Sequence, residues 1–334
     1  MLNPPYPVEL KPYGRALVAL AAQREDVLCL SGDLTRQTEV DLFRERFPER
    51  FIHAAMAEAN MIGLAGALAR DGFQPFVHTF GVFATRRPFD QIVNAIAYPN
   101  LPVRIIGFMP GLSSPGGPSH QAIEDVAITR VLPNFTVIDV ADAVETAQVV
   151  PMLADIDGPV YLRLKRGEIP VMFDDTHHLS LTTAQVLTDG DDLTLVTSGM
   201  MLAASLEAAQ TLRAHGIGVQ VVNVPVIKPL DTTTLVSAIS RTPRVVTAEN
   251  HLITGGLGSA VAEVIAEAGL PCPLRRVGVA DTFAEGARTA PYLFEKYGLS
   301  TQTLVKVIWE HVGRNGPAPI AERIPAVEGE YQPV

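Results

Sequence analysis

The sequence predicts an α/β protein with a mostly parallel sheet, and three observations carry that prediction. Short β-branched runs alternate with helix-length stretches along most of the chain, the pattern of repeated strand–helix–strand units. With 334 residues, 47% of them hydrophobic and only 19% charged, the chain can bury one large core and has length enough for two. The alternation is interrupted once, between residues 166 and 192, and then resumes, which divides the chain into two units.

In the first unit the candidate strands are "DVLCLS" (26–31), "FIHA" (51–54), "QPFVHTF" (74–80), "PVRIIGF" (102–108), "FTVIDV" (135–140) and "PVYLRL" (159–164). Helical stretches fall between them at about 13–24, 36–47, 57–71, 86–97, 121–131 and 142–154. Six strands with intervening helices make a complete domain, residues 1–165. The interrupting segment, "RGEIPVMFDDTHHLSLTTAQVLTDGDD", holds a Pro, a His pair and five Asp. It reads as a crossover linker over 166–190 with room for a hairpin. The rhythm then returns with "LTLVTSG", a helix near 200–214, "GVQVVNVP", a short helix near 231–240, "PRVVTAEN", a helix near 257–268, "PLRRVGV" and a last helix near 300–313. This is a smaller α/β domain, 191–315, followed by a Pro-rich tail, 316–334, expected to lie extended on a surface or to be mobile.

Composition excludes several classes of partner. A net charge of −10 and no run of five Lys or Arg argue against nucleic acid and anionic membranes, which select basic surfaces. Cys29 and Cys272 stand alone, without a CxxC or a Cys/His cluster, so neither a disulfide framework nor a zinc site is indicated. No stretch offers about 18 uninterrupted apolar residues, and the N-terminal "MLNPPYPVELKPYGR" lacks the apolar core of a signal peptide. A cytoplasmic location is expected.

Ligands of doubly wound sheets bind at the carboxyl ends of strands, which directs attention to three clusters. Glu58 follows "FIHA" and falls in the first turn of a helix beginning near Ala57. The plain reading is a first-turn acid favoured by the helix dipole. Its neighbours are small or apolar, so that helix start should pack against another surface and leave the acid partly desolvated. The second cluster, "HTFGVFATRRPFDQ" (78–91), puts Phe80 and Phe83 at the end of a strand beside Arg86 and Arg87. The two aromatics are either core or a stacking shelf for a flat heteroaromatic ring. The third, "MPGLSSPGGPSHQAIED" (109–125), is a Gly/Pro/Ser loop whose His120 suits proton transfer or hydrogen bonding to a substrate oxygen. The plain reading there is a surface histidine.

Taken together the clusters resemble the transketolase superfamily of thiamine-diphosphate enzymes, with a pyrimidine-binding domain followed by the transketolase C-terminal domain. The resemblance runs from about residue 5 to about 315 and rests on "SGDLT" (31–35), "AEANMIGLAGALARDG" (57–72), "TFGVF" (79–83), "FDQI" (89–92), "GGPSHQAIED" (116–125), "LPNFTVIDVADAVE" (132–145) and "ENHLITGGLGSAVAEV" (249–264). It implies that Glu58 is the glutamate that hydrogen-bonds N1′ of the cofactor's aminopyrimidine and favours its imino tautomer, a task that needs a dry pocket. It implies likewise that Phe80 and Phe83 pack on the pyrimidine. His120 matches the family's "THQ" histidine, although Ser119 replaces the usual Thr. Arg166, in "LKRGEIP", matches the arginine that binds a substrate phosphate, its plain reading being an exposed linker residue. His53, His78, Arg86 and Arg87 sit close enough to these loops either to support the site residues or to contact substrate, and they rank below His120.

The family's GDG motif, which holds magnesium and the diphosphate, is absent, since "SGDLT" and "DGDDL" are not that motif. The resemblance therefore implies a partner subunit that carries GDG and supplies Mg2+ and the diphosphate site, in an α2β2 assembly. Gly116 stands where sugar-phosphate transketolases usually have an Asp four residues before the histidine, and Phe108-Met109-Pro110 stands where they have another His. A ketol donor or acceptor outside the pentose-phosphate pair fits this less polar pocket. One alternative is the beta subunit of the thiamine-dependent component of a 2-oxo acid dehydrogenase, which has the same two domains; the "GGPSHQ" loop favours the transketolase branch. Another is a non-catalytic assembly subunit, against which the joint presence of Glu58, both Phe residues and His120 counts. "GGLGSA" (255–260) departs from GxGxxG and reads as a packing turn, and His177 and His178 lack companions at metal-ligand spacing.

Overall fold

The computed structural model describes residue 1 and residues 5–321. Its first sheet has seven strands in the spatial order Val226–Lys228, Thr136–Asp139, Val160–Leu164, Arg104–Phe108, Gln74–Phe80, Val27–Ser31, Phe51–His53. The last six are parallel. Alternate residues of Val27–Ser31 serve opposite faces. Val27 and Cys29 join Leu17 and Leu20 of the helix Pro12–Gln23 and Val149, Val150 and Leu153 of the helix Ala143–Leu153. Leu28 and Leu30 join Met61, Ile62 and Ala65 of the helix Glu58–Arg70. Helices on both faces leave the carboxyl edge of this sheet as its open rim.

The second sheet runs Leu274–Val279, Val245–Leu252, Leu193–Thr197, Val219–Asn223, Gln185–Val186, with only the last strand antiparallel. Both parallel sheets follow the predicted α/β pattern. The differences lie in short pieces. Val226–Lys228, from the second half of the chain, pairs antiparallel with Thr136–Asp139 and covers the exposed edge of the first sheet. The linker forms no hairpin: Glu168–Pro170 pairs with Val8–Leu10, and Gln185–Val186 pairs with Val219–Asn223. Strands of two or three residues have no periodicity to read, so only their distant partners reveal them. The expected helix at 86–97 is broken at Pro88 into turns on either side, and a helix, Ala290–Lys296, was not foreseen. Of the predicted tail, residues 322–334 lie outside the described residues.

The two halves meet across buried polar groups. Arg163 donates to Asp125 (2.8 and 3.2 Å), to Asp139 (2.9 Å) and to the Asn250 carbonyl (2.9 Å), while Ser198 donates to Asp139 (2.9 Å). Asn250 accepts from the Leu112 amide (2.9 Å) and donates to the Pro110 carbonyl (3.0 Å). The His251 Nδ1 lies 2.6 Å from the Leu252 carbonyl, which can only accept, so Nδ1 carries the proton and Nε2 accepts from the Ala127 amide (3.3 Å). Burial lowers the His251 pKa to about 4, in keeping with a neutral ring.

Beside it, burial pushes Glu249 up to about 7. One oxygen accepts from the Gly258 amide (3.0 Å), and the other makes no hydrogen bond among the described residues and lies 3.8 Å from His251 Nδ1. A folded pKa above the unfolded one means the neutral acid favours the fold. That contribution is complete below the ordinary glutamate range and is lost as pH rises through about 7. Glu249→Gln, neutral throughout, is therefore expected to gain on the order of 2–3 kcal/mol against the wild type between pH 5 and pH 8.5. Urea unfolding at both pH values reads this directly, and an identical difference at the two would exclude it.

Candidate active site

The strand order sets four loops along one rim of the first sheet, after Phe51–His53, Gln74–Phe80, Arg104–Phe108 and Val160–Leu164. Glu58 opens the helix Glu58–Arg70 with no side chain capping the turn, after a loop in which Ala55 takes a positive φ of 54°. The approach is exposed, Met56 at 74%, yet Glu58 itself is only 5% exposed. Its oxygen accepts from Arg87 Nη1 at 2.8 Å.

Phe80 ends its strand, and the helical turn Gly81–Thr85 places Phe83 on the same side three residues on. The two rings stack at 6.1 Å with an interplanar angle of 19°. The Arg87 guanidinium lies over the Phe83 ring, 4.1 Å from its centroid, and His120 meets the same ring edge-on at 5.2 Å. Glu58, Arg87, Phe83, Phe80 and His120 thus form one continuous cluster drawn from three loops. Its centre is a flat cation held between an aromatic face and a buried carboxylate. A seat of that shape also suits an aminopyrimidine, which is flat, stacks on the ring and presents a ring nitrogen to the acid.

His120 is half-buried, and its Nδ1 lies 2.9 Å from the Ser119 hydroxyl. When Ser119 donates, Nε2 carries the proton and can donate to a substrate oxygen. Gly116 makes room for the ring, since a Cβ there would lie 2.9 Å from the His120 side chain. Any side chain at 116, including the Asp of sugar-phosphate transketolases, would displace His120 from this position.

Arg166 is half-buried two residues beyond Val160–Leu164, on the same rim. His53 is exposed. The expectation for His78 is corrected by its burial. It is 0% exposed, its Nδ1 lies 2.9 Å from the Leu30 carbonyl and its Nε2 lies 2.6 Å from the Tyr13 hydroxyl. The carbonyl only accepts, so the ring is the Nδ1–H tautomer, and burial lowers its pKa to about 4. Two residues short of the strand end, it faces Tyr13 beneath the rim and not the loops above it. Sequence reasoning set Arg86 and Arg87 behind His120; only the fold brings residue 87 to Glu58.

Among the described residues no group of three or more His, Cys, Asp and Glu is placed to hold a metal ion, and no helix is long and apolar enough to cross a membrane.

The family profile described as transketolase, pyrimidine binding domain, matches residues 10–172, and that of the transketolase C-terminal domain matches residues 182–304. A transketolase family protein of Sinorhizobium fredii, itself uncharacterised, is 43% identical over 91% of this chain and 89% of its own length. The chain belongs to the transketolase family. Within that family it is also similar to a 6-deoxy-6-sulfo-D-fructose transketolase subunit of a Clostridium species, 38% identical over 92% of this chain and 98% of that protein. A solved split-gene transketolase, described as an inactive beta4 tetramer, superposes with a TM-score of 0.83 at 43% identity, covering 90% of this chain and 97% of that one. The two profile matches follow one another along this chain, the pyrimidine-binding domain first and the C-terminal domain second.

Proposed function

We propose that this chain is the C-terminal (β) subunit of a two-subunit, thiamine-diphosphate-dependent transketolase that transfers a two-carbon ketol unit between sugar or related carbonyl substrates. The observation that carries the reading is the cluster at the rim, where a buried acid, a stacked pair of phenylalanines and a half-buried histidine converge from three loops. Thiamine diphosphate, when bound, supplies the carbanion chemistry. Glu58 holds a proton at N1′ of the pyrimidine, Phe83 and Phe80 give the ring its shelf, and His120 hydrogen-bonds substrate oxygens. Arg166 takes a substrate anion. Magnesium and the diphosphate fall to a GDG-bearing partner subunit, and activity requires that partner, in an α2β2 complex.

The test is co-expression with the N-terminal subunit, followed by a ketol-transfer assay over a panel of phosphorylated, sulfonated and deoxy sugars, with 2-oxo acids as the competing donor class. Transfer from a sugar donor by the complex and by neither subunit alone is the expected result. Activity confined to 2-oxo acids would overturn the reading.

Arg87 takes up the seat that the pyrimidine needs, so the cofactor must displace it. Removing that competitor in Arg87→Ala is expected to tighten cofactor binding to the complex by about twofold to fivefold, the equivalent of an ion pair with one half-exposed partner. Calorimetric titration with thiamine diphosphate reads the change, and a weaker affinity would show that Arg87 helps to bind the cofactor.

A further inference from the structure

The histidine loop is short of regular structure yet is held from two sides. On one side stands Arg86, the residue before the one that pairs with Glu58. Its Nη1 donates to the Pro118 carbonyl (2.9 Å) and its Nη2 to the Gln121 carbonyl (3.0 Å). These two carbonyls flank Ser119 and His120. The same guanidinium is anchored by Glu124, through Nη2 at 2.8 Å and through Nε. Three fixed points from one planar fork define the loop's path as no single-centre cation can.

On the other side lies residues 285–287 of the C-terminal half. The Ala287 amide donates to the Pro115 carbonyl (2.9 Å), and Gly286 forms an isolated bridge with Gly116. Gln121 Nε2 reaches the Glu285 carbonyl (3.1 Å) and the Ser114 carbonyl (3.2 Å). Inside the loop the His120 amide donates to the Gly117 carbonyl (2.9 Å), with Gly117 at a φ of +76°. Sequence similarity points to His120 itself and is silent about what holds it.

We propose that Arg86 is a positioning residue for His120, and that residues 285–287 form the opposing half of the same clamp, so that the C-terminal domain takes part in substrate recognition. The inference rests on the reading of His120 as a substrate contact. Arg86 touches no substrate; it acts by holding the two peptide groups on either side of the histidine, where a displacement of about 1 Å is enough to cost up to a hundredfold in rate.

The test combines kinetics of the reconstituted complex with amide hydrogen exchange of the full chain. Arg86→Ala is expected to lower kcat/KM for the sugar substrate about tenfold to a hundredfold, chiefly through KM, with the thiamine diphosphate Kd unchanged within about twofold. In a His120→Ala background the same substitution should cost nothing more, since it acts only through that ring. Arg86→Lys should fall between, because an ammonium keeps the charge but loses the planar fork that meets both carbonyls and Glu124 at once. Gln121→Leu, which cuts the bond to the C-terminal half, should raise KM in the same sense. In the unassembled chain, exchange of the His120 amide should quicken at least tenfold in Arg86→Ala while the strand Arg104–Phe108 keeps its protection.

Unchanged exchange at residue 120, or losses that add fully to those of His120→Ala, would overturn the clamp. The two readings separate cleanly. An inactive wild-type complex with quickened exchange in Arg86→Ala sinks the ketol-transfer function and leaves the clamp standing, whereas an active complex with normal KM in Arg86→Ala does the reverse.

Discussion

Glu58→Gln is expected to abolish ketol transfer by the assembled complex, with kcat down about a hundredfold to ten-thousandfold, the range for removing a placed proton donor or acceptor. That corresponds to roughly 3–5 kcal/mol on the barrier. The substitution keeps the shape of the side chain, so the packing at the start of the helix Glu58–Arg70 is retained. What it removes is the group that holds a proton at the pyrimidine nitrogen, and with it the ion pair to Arg87. The cost to stability is small by comparison, about 1 kcal/mol or less, because the guanidinium is half exposed and a first-turn acid contributes only a few tenths through the helix dipole. Kinetics, size-exclusion chromatography of the complex and urea unfolding separate the two effects. Full activity in an intact complex would show that Glu58 is an ordinary first-turn acid and that the catalytic assignment is wrong.

Arg163→Leu is expected to have the largest effect on folding, a loss of about 3–5 kcal/mol, the usual cost of breaking a buried ion pair from one side. Arg163 is 2% exposed, and two carboxylates depend on it, Asp125 at 0% and Asp139 at 3%. Tyr161, which donates to Asp125 at 2.6 Å, cannot supply the missing charge. Burial already holds Asp139 above the usual carboxylate range, and Arg163 pulls it back. Without the guanidinium the folded value rises further above the unfolded one. Stability in the variant is then present at low pH and lost as pH rises, so its deficit against the wild type should be larger at pH 8 than at pH 5. Denaturant unfolding at both pH values checks the magnitude and the sign, and a loss under about 1 kcal/mol would mean that water or another cation replaces the side chain. Activity should fall together with stability, because Arg163 also bonds the Asn250 carbonyl and Asn250 anchors Pro110 and Leu112 at the root of the histidine loop.

Both predictions concern residues that the sequence exposes to very different degrees. Glu58, Phe80, Phe83 and His120 can be singled out because each lies at the end of a predicted strand or in the stretch that follows one, and ligand-binding loops of parallel sheets follow strands. Arg163 lies within "PVYLRL" and reads as an ordinary strand position. Its partners are 38 and 24 residues away, and nothing in their spacing pairs them. His78 misled in the opposite direction: it shares a strand face with Phe80 but stops two positions short of the end, where the Tyr13 hydroxyl and the Leu30 carbonyl enclose its ring.

Taken alone, the sequence determined the alternation of strands and helices, the two successive α/β units, the family and the order of its motifs along the chain. Those are local properties, carried by hydrophobic period and by short runs that need no distant partner. Tertiary structure alone decided which strands are neighbours, and that choice put Arg87 against Glu58, set Arg86 across the peptides that flank His120, carried Val226–Lys228 back to the first sheet and laid residues 285–287 on the histidine loop. Contacts of this kind join residues far apart in the chain, and their cost in chain entropy is met by burial spread over the whole fold, so no local pattern records them.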